Sequence, residues 1–226
     1  GVIREACRAL VELGAQRVVF MTFHGSPLHG AALEEGVRAL RELGVPALSP
    51  FNVVLRTLTE VGDVSRFAPA VAHLSAPQAR EVLDALPLDF HAGFFETSMA
   101  LWAAPDSVSP VHKALPPCPK ITPKSSIALA ARAARRAGAS DVARDLGFAA
   151  IGMGWNALRP FPGYTGQPAL ATREAGEFFA RVILDAYEGI AEDVLLGRAP
   201  SPPPIMPWLA PATLGGRLPA GPRPGV

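Results

Sequence analysis

The fold of this chain is decided by residues 18–30, which read VVFMTFHGSPLHG. Residues 18–23 are an almost continuous apolar run with β-branched members, which is typical of a buried strand in a parallel sheet. Residues 24–30 combine glycine, serine and proline with two histidines, and this composition predicts a loop. In α/β proteins ligands gather at the carboxyl ends of parallel strands, so this loop is a candidate binding edge.

Helical patterns flank this stretch on both sides. Apolar residues between positions 3 and 13 recur at helical spacing, and Gly14 ends that pattern. After the loop, Leu33, Val37 and Leu40 line one face of a second predicted helix, which ends at Gly44. The next strand is expected within residues 45–49 or 52–55. This alternation of helix and strand predicts a layered α/β fold with a parallel sheet.

The remainder of the chain is predicted to be largely helical. Short helices are expected over residues 76–86, where Ser75 is the N-cap, and over residues 96–103. An alanine-rich helix is expected over 127–137, and a long amphipathic helix from Ala175 to Ile190. Residues 148–154 are apolar and rich in glycine, and we interpret them as a strand that leads into a loop.

Composition excludes several classes of protein. Hydrophobic residues make up 49% of the 226 and charged residues 18%, so the chain can bury a sizeable core and is not globally disordered. Lysine plus arginine (21) nearly equals aspartate plus glutamate (20), which gives no indication of nucleic-acid binding. The apolar runs are far shorter than the roughly 20 residues that span a bilayer. Two cysteines, Cys7 and Cys118, are too few for a disulfide framework and favour a cytoplasmic protein with reduced thiols.

Proline distribution suggests where the folded domain ends. Nine of the 24 prolines lie after Gly197, in the last 29 residues. We therefore predict a domain over residues 1–197 and an extended, proline-rich tail over residues 198–226.

Two loops contain residues that could carry chemistry. In the first, His24 and His29 are separated by the four residues 25–28, and the glycines of this loop let a backbone or ligand approach closely. A histidine at such a strand end is either a ligand or catalyst, or a side chain that satisfies loop carbonyls.

The second candidate lies in residues 89–98, which read DFHAGFFETS. Small residues separate His91 from Glu96, which lies at the start of a predicted helix. Glu96 could cap that helix or favour its dipole, or it could be an oxygen ligand for a divalent metal beside an imidazole. The phenylalanines around His91 could supply a dry wall that strengthens electrostatic interactions.

Residues 91–98, HAGFFETS, resemble the HAGxxETS motif of the creatininase (creatinine amidohydrolase) family. The strand and loop of residues 18–30 resemble that family's strand ending in NGHGGN, and His24 matches its histidine. Residues 163–172, GYTGQPALAT, resemble the family's segment before its last helix. The three matches occur in the family's order and cover roughly residues 1–195.

The resemblance implies a three-layer α/β fold with a central, mostly parallel sheet flanked by helices. It implies a metal-dependent amidohydrolase that uses one or two divalent ions, zinc, manganese or iron, to hydrolyse a small cyclic or linear amide. By the motif match, His24 and Glu96 would be metal ligands, and His91 would be the catalytic acid that protonates the leaving nitrogen. Predicted substrate-binding residues complete the site: Gly25, Ser26, Gly93 and His29. The family also implies a cytoplasmic homo-oligomer, often a hexamer, with no nucleic-acid or membrane partner.

Departures from the family pattern leave alternatives open. Thr22 and Pro27 stand where the family loop has asparagines. The family's first segment carries a Glu-x-His-Gly motif, and we expect this chain to begin inside the domain, without that metal-binding segment. One alternative is a non-catalytic protein of the same fold, or a binding module, that has lost its metal shell. Another is an enzyme of related chemistry in which His29 is recruited as a ligand.

Overall fold

The computed structural model describes residues 2–22, 27–51, 64–202 and 206–212. Its elements in chain order are α1 (Val2–Glu12), β1 (Val18–Val19), α2 (Pro27–Glu42), β2 (Ala47–Leu48), α3 (Ala76–Ala85), α4 (Phe94–Ala103), α5 (Ser125–Arg136), α6 (Ser140–Asn156), α7 (Arg173–Leu195) and α8 (Leu209–Ala212), with short 3-10 helices such as Val64–Val71. They fall into two compact units, residues 1–55 with 186–226, and residues 56–185.

The first unit contains the two predicted strands as a short parallel pair. Val18 lies opposite Ala47 and Val19 opposite Leu48. The Phe20 N–H donates to the Leu48 carbonyl at 2.8 Å, which continues the ladder by one residue. The prediction of a strand within residues 45–49 is therefore confirmed, whereas the alternative at 52–55 lies outside the described residues.

Helices α1 and α2 pack together over the core of this unit. Cys7 and Leu40 are fully buried there and cluster with Val37, Val45 and Ala47. Arg4 pairs with glutamates of α2, but these pairs are exposed and contribute little to stability. The amphipathic spacing that predicted both helices thus places their apolar faces against each other.

The predicted loop over residues 24–30 is shorter than expected. Helix α2 begins at Pro27, so residues 27–30 are its first turn. Proline is well suited to that turn because it has no N–H to leave without a partner and its φ is already helical. Residues 23–26 lie outside the described part.

The second unit is built around the ring of Phe179 in α7. The rings of Phe67, Phe94 and Phe95 lie 5.9, 6.0 and 5.0 Å from it, and all four side chains are buried. Aromatic pairs of this kind add to the stabilisation that burial of their area provides.

Helix α3 begins after Ser75, as predicted, and the Ser75 N–H donates to Gln78 Oε1 at 3.4 Å.

One secondary-structure prediction is wrong. Residues 148–154 are the end of helix α6, not a strand. A short apolar run cannot be assigned by periodicity alone, because a buried helix turn and a buried strand look alike. Here Gly154 lets the helix approach residue Thr122 so closely that a Cβ would overlap its carbonyl oxygen.

The described residues are mostly helical, with one small parallel sheet. The α/β class is thus shown in outline, and the three-layer arrangement stays a prediction.

The predicted boundary at residue 197 also stays a prediction. Within the predicted tail, Ser201 Oγ donates to the Ala47 carbonyl at 2.7 Å, and Met206 is buried. No helix in the described residues is long and apolar enough to cross a membrane.

Candidate functional site

The candidate site is the turn that precedes helix α4, where residues 91–93 read HAG. Ala92 has a φ of +46°, in the left-handed region that residues with a Cβ seldom occupy. Gly93 is the N-cap residue of α4 and brings no side chain to cap the helix. Other groups must therefore satisfy the free amides of the first turn and hold this turn in place.

Glu96 holds the turn from the helix side. The Ala92 N–H donates to Glu96 Oε2 at 2.6 Å, and Thr97 Oγ1 donates to the Ala92 carbonyl at 3.2 Å. In an ordinary capping box the carboxylate accepts a hydrogen bond from the N–H of the N-cap residue. Here the donor is Ala92, the residue before the N-cap residue Gly93. This bond gives Glu96 a local structural role similar to capping, and its role as a metal ligand stays a prediction.

Asp89 caps the helix in place of Gly93. The Phe95 N–H donates to Asp89 Oδ2 at 3.1 Å. The carboxyl group is buried, and it fills the space beside Gly93, where a Cβ would overlap Asp89 Oδ1. Gly166 borders the same carboxyl group, because a Cβ there would lie 3.0 Å from Asp89 Oδ2. Asp89 therefore lies in a slot formed by one glycine from each of two motifs.

Thr165, which is fully buried, joins the second motif to His91. The Thr165 N–H donates to the His91 carbonyl at 2.8 Å, and the His91 N–H donates to Thr165 Oγ1 at 3.1 Å. The same hydroxyl lies 3.4 Å from Asp89 Oδ1 and 3.2 Å from the His91 carbonyl oxygen. Both main-chain polar groups of His91 are thus held by one residue 74 positions later.

Burial raises the pKa of Asp89 from its ordinary value of 3.8 to about 7. Hydrogen bonds from the Phe95 and Phe94 amides act against this rise, as does the Thr165 hydroxyl, whereas the charge of Glu96 adds to it. The pKa of the Cys118 thiol is raised by burial and then by the charge of Asp89. The Cys118 N–H donates to the Gly166 carbonyl at 2.9 Å, which joins the backbone of Cys118 to the second motif.

The imidazole of His91 is exposed, while its backbone is held. Its ring lies 5.2 Å from that of Trp155, whose indole N–H donates to the Tyr164 carbonyl at 2.8 Å. The rings of Phe90 and Phe161 also lie close to the indole, at 5.5 and 4.8 Å between ring centroids. The ring beside His91 is therefore that of Trp155, whereas Phe94 and Phe95, two of the phenylalanines expected there, pack against Phe179 instead.

The structure brings together some of the predicted site residues. His91, Gly93 and Glu96 lie on one turn in the second unit. His29 lies exposed in the first unit, with its Nε2 3.3 Å from Thr22 Oγ1. The remaining predicted residues lie outside the described part of the chain: His24, Gly25 and Ser26.

The described residues alone do not form a metal site. Over ranges 2–22, 27–51, 64–202 and 206–212, no group of three or more His, Cys, Asp or Glu side chains is placed to hold an ion. Glu96, the one predicted ligand among them, has Oε2 engaged by the Ala92 amide. A catalytic metal normally needs three protein ligands, so this donor set does not fit one by itself.

Sequence reasoning missed Asp89 and Thr165. Asp89 stands two residues before His91, and Thr165 stands between Tyr164 and Gly166 in the second motif. The signal that could have found them is a small polar or acidic residue embedded among glycines and aromatics, where burial would require a specific partner.

Comparison with protein families agrees with the motifs. The family model described as creatininase, creatinine amidohydrolase, matches residues 1–190. The match covers most of the chain, and the protein belongs to the creatininase family. No curated protein and no solved structure matches the chain.

Proposed function

We propose that this protein is an amidohydrolase of the creatininase family that cleaves the C–N bond of a small cyclic or linear amide. One observation carries the proposal beyond family membership. The His91 imidazole is exposed on a turn whose backbone is held at both polar groups by Thr165. Such a side chain is free to meet a ligand while its attachment point stays fixed, which is what a proton donor requires.

In the proposed reaction His91 protonates the departing nitrogen. An imidazole can both donate and accept a proton, so it can give a proton to a leaving amine and regain it from solvent. The ring of Trp155, whose centroid lies 5.2 Å away, gives the imidazole one apolar neighbour. Gly93 remains a proposed substrate-binding residue, although the space that its side chain would need is filled by the Asp89 carboxyl group.

We retain His24 and Glu96 as proposed ligands of zinc, manganese or iron, one or two ions per site. Such an ion supplies an activated water and polarises the amide carbonyl when bound. Gly25, Ser26 and His29 remain proposed substrate-binding residues. The three-layer sheet, the homo-oligomeric state and the cytoplasmic location belong to the same proposal and rest on family resemblance.

A second candidate is a non-catalytic protein of the same fold. The hydrogen bond from the Ala92 amide to Glu96 Oε2 favours it, because this bond gives the carboxylate a structural role that needs no metal. In this case the chain would bind an amide-like ligand without hydrolysing it.

The two candidates are separated by metal content and activity. We expect full-length protein purified without chelators to contain zinc, manganese or iron by mass spectrometry and to hydrolyse at least one member of a panel of small amides. His91→Ala should lower hydrolysis by at least about 100-fold while the metal stays bound, since a general acid contributes on the order of 10² to 10⁴. His73→Gln is the matched control, because His73 bonds the Leu170 carbonyl outside this turn. Absence of both metal and hydrolysis would contradict the proposal and favour the non-catalytic protein.

A further inference from the structure

We propose that Asp89 and Thr165 are positioning residues, which together fix the turn of residues 91–93 and so set the direction of the His91 imidazole. This inference rests on the proposed function for its catalytic meaning. The observation behind it is a pair of buried groups that lie 3.4 Å apart. The Asp89 carboxyl group accepts a hydrogen bond from the backbone of helix α4, and the Thr165 hydroxyl accepts one from the backbone of His91.

Asp89 fixes the helix end of the turn. The Asp89 carboxyl group accepts a hydrogen bond from the Phe95 N–H at 3.1 Å. This bond caps the helix, because the N-cap residue Gly93 has no side chain that could do so. An N-cap side chain normally stabilises its helix, and when the cap is buried no water can take its place. The first turn of α4, which includes Glu96, is therefore tied to a residue that precedes His91.

The slot around Asp89 explains why residue 93 is a glycine, whereas Gly166 also has a φ of +59°, which favours glycine by itself. A Cβ on Gly93 would overlap the carboxyl group, and one on Gly166 would crowd it from the other motif. Close packing of this kind allows the carboxyl group one position only. Displacement of Asp89 would therefore move Gly93, and with it the backbone next to His91.

Thr165 fixes the other end of the turn. Its backbone N–H and its hydroxyl engage the carbonyl and the amide of His91, at 2.8 and 3.1 Å. With both backbone groups held, the imidazole keeps only its own χ rotations. The Thr165 hydroxyl has a single proton, which it can direct to the His91 carbonyl or to Asp89 Oδ1. The two positioning residues thus contact each other as well as the turn.

A rotation of this turn would move the proton donor relative to the substrate. A misplacement of about 1 Å costs about 100-fold in rate when a reaction depends on a positioned group. The effect of positioning should therefore appear mainly in kcat, because the proton reaches the leaving nitrogen in the transition state and not when the substrate binds.

Thr165→Val tests the proposal, because it keeps the shape of the side chain and removes the hydroxyl. We expect kcat to fall by about 10- to 100-fold with KM within about twofold, and Thr165→Ser to restore most of the loss. Tyr164→Phe is the matched control, because it removes the neighbouring hydroxyl, which donates to the Pro116 carbonyl and not to the turn. NMR of the full chain supplies a readout without substrate: the His91 ring signals should shift, and its amide should exchange faster, in Thr165→Val but not in Tyr164→Phe.

The outcomes separate this proposal from the proposed function. If the wild-type protein hydrolyses no amide, the proposed function fails, and the His91 signals alone decide the positioning role. Unchanged His91 signals in Thr165→Val overturn the positioning role, and so does a kcat equal to that of wild type in an active protein. An equal fall of kcat in Tyr164→Phe also overturns it, since the effect would then be a general loss of packing. If Thr165→Val does not fold, Asp89→Asn serves in its place, judged by the same His91 signals.

Discussion

The carboxyl group of Asp89 occupies the space that a side chain on Gly93 would need. Gly93 has a φ of −90°, which residues with a Cβ can adopt, so the glycine is required here for space and not for a left-handed backbone. The carboxyl group reaches past it to the Phe95 amide. The glycine of the HAG motif is thus explained by a residue that lies outside the motif.

Gly93→Ala should destabilise the protein by about 2 kcal/mol or more, because the added methyl group must displace a buried, hydrogen-bonded carboxyl group. Urea unfolding would measure the loss. Gly152→Ala is the control: it lies in helix α6, a Cβ there has nothing within 4 Å, and the change should stabilise by about 0.5–1 kcal/mol. A Gly93→Ala protein as stable as the wild type would show that the Asp89 carboxyl group does not fill the space beside Gly93.

Asp89 should make stability depend on pH in a direction opposite to that of most carboxyl groups. Its pKa is raised from 3.8 to about 7 by burial, so between about pH 4 and pH 7 the folded state holds a proton that the unfolded state has lost. Its contribution to stability is complete below about pH 4 and declines as pH rises through 7. We expect the stability of the wild type relative to Asp89→Asn to fall from pH 5 to pH 8, measured by urea unfolding at each pH. A relative stability that rises over this interval would contradict the raised pKa.

Local patterns predicted the helices of this fold better than its long-range contacts. Ser75 and Pro77 marked the start of α3, and the spacing of Leu33, Val37 and Leu40 placed a helix after the loop. Those signals lie within a few residues of each other. The strand predicted at 148–154 was wrong because a short apolar run fits a helix turn as well as a strand, and the close approach of Gly154 to Thr122 cannot be seen in local periodicity.

The candidate site was predictable in position but not in construction. The sequence located His91, Gly93 and Glu96 and left two roles open for Glu96. It could not show that Thr165 bonds the backbone of His91, because the two residues are 74 positions apart and neither pattern requires the other. Buried polar partners of this kind are specified by three-dimensional packing and become visible once the structure places them.

Cys118 should report the charge of Asp89. The pKa of its thiol is raised by burial and by the Asp89 charge, so Asp89→Asn should lower that pKa and increase the thiolate fraction. At pH 8.5, where Asp89 is ionised in the wild type, iodoacetamide should therefore label Cys118 faster in Asp89→Asn. Peptide mass spectrometry would measure both rates, and Cys7, which is fully buried, is the internal control for global opening. Equal or slower labelling of Cys118, with Cys7 protected, would show that the carboxyl charge does not reach the thiol.

Gly176 should tolerate a change to alanine as poorly as Gly93, because helix α7 meets the end of the HAGFFETS motif at this residue. A Cβ on Gly176 would overlap the carbonyl oxygen of Ser98 and would lie 2.9 Å from the Cβ of Trp102. Ser98 is fully buried, and its hydroxyl accepts the Thr172 amide at 3.3 Å, so α4 cannot move away without breaking that bond. Gly176→Ala should therefore cost about 2 kcal/mol or more in urea unfolding.

The control for Gly176→Ala lies in the same helix. Gly189 also belongs to α7, but a Cβ there has nothing within 4 Å, so Gly189→Ala should add about 0.5–1 kcal/mol through helix propensity alone. Opposite signs for two identical substitutions in one helix would show that the contact with Ser98, and not helix propensity, decides the effect at Gly176. Stabilisation by both would mean that α4 and α7 are less closely packed than this contact requires.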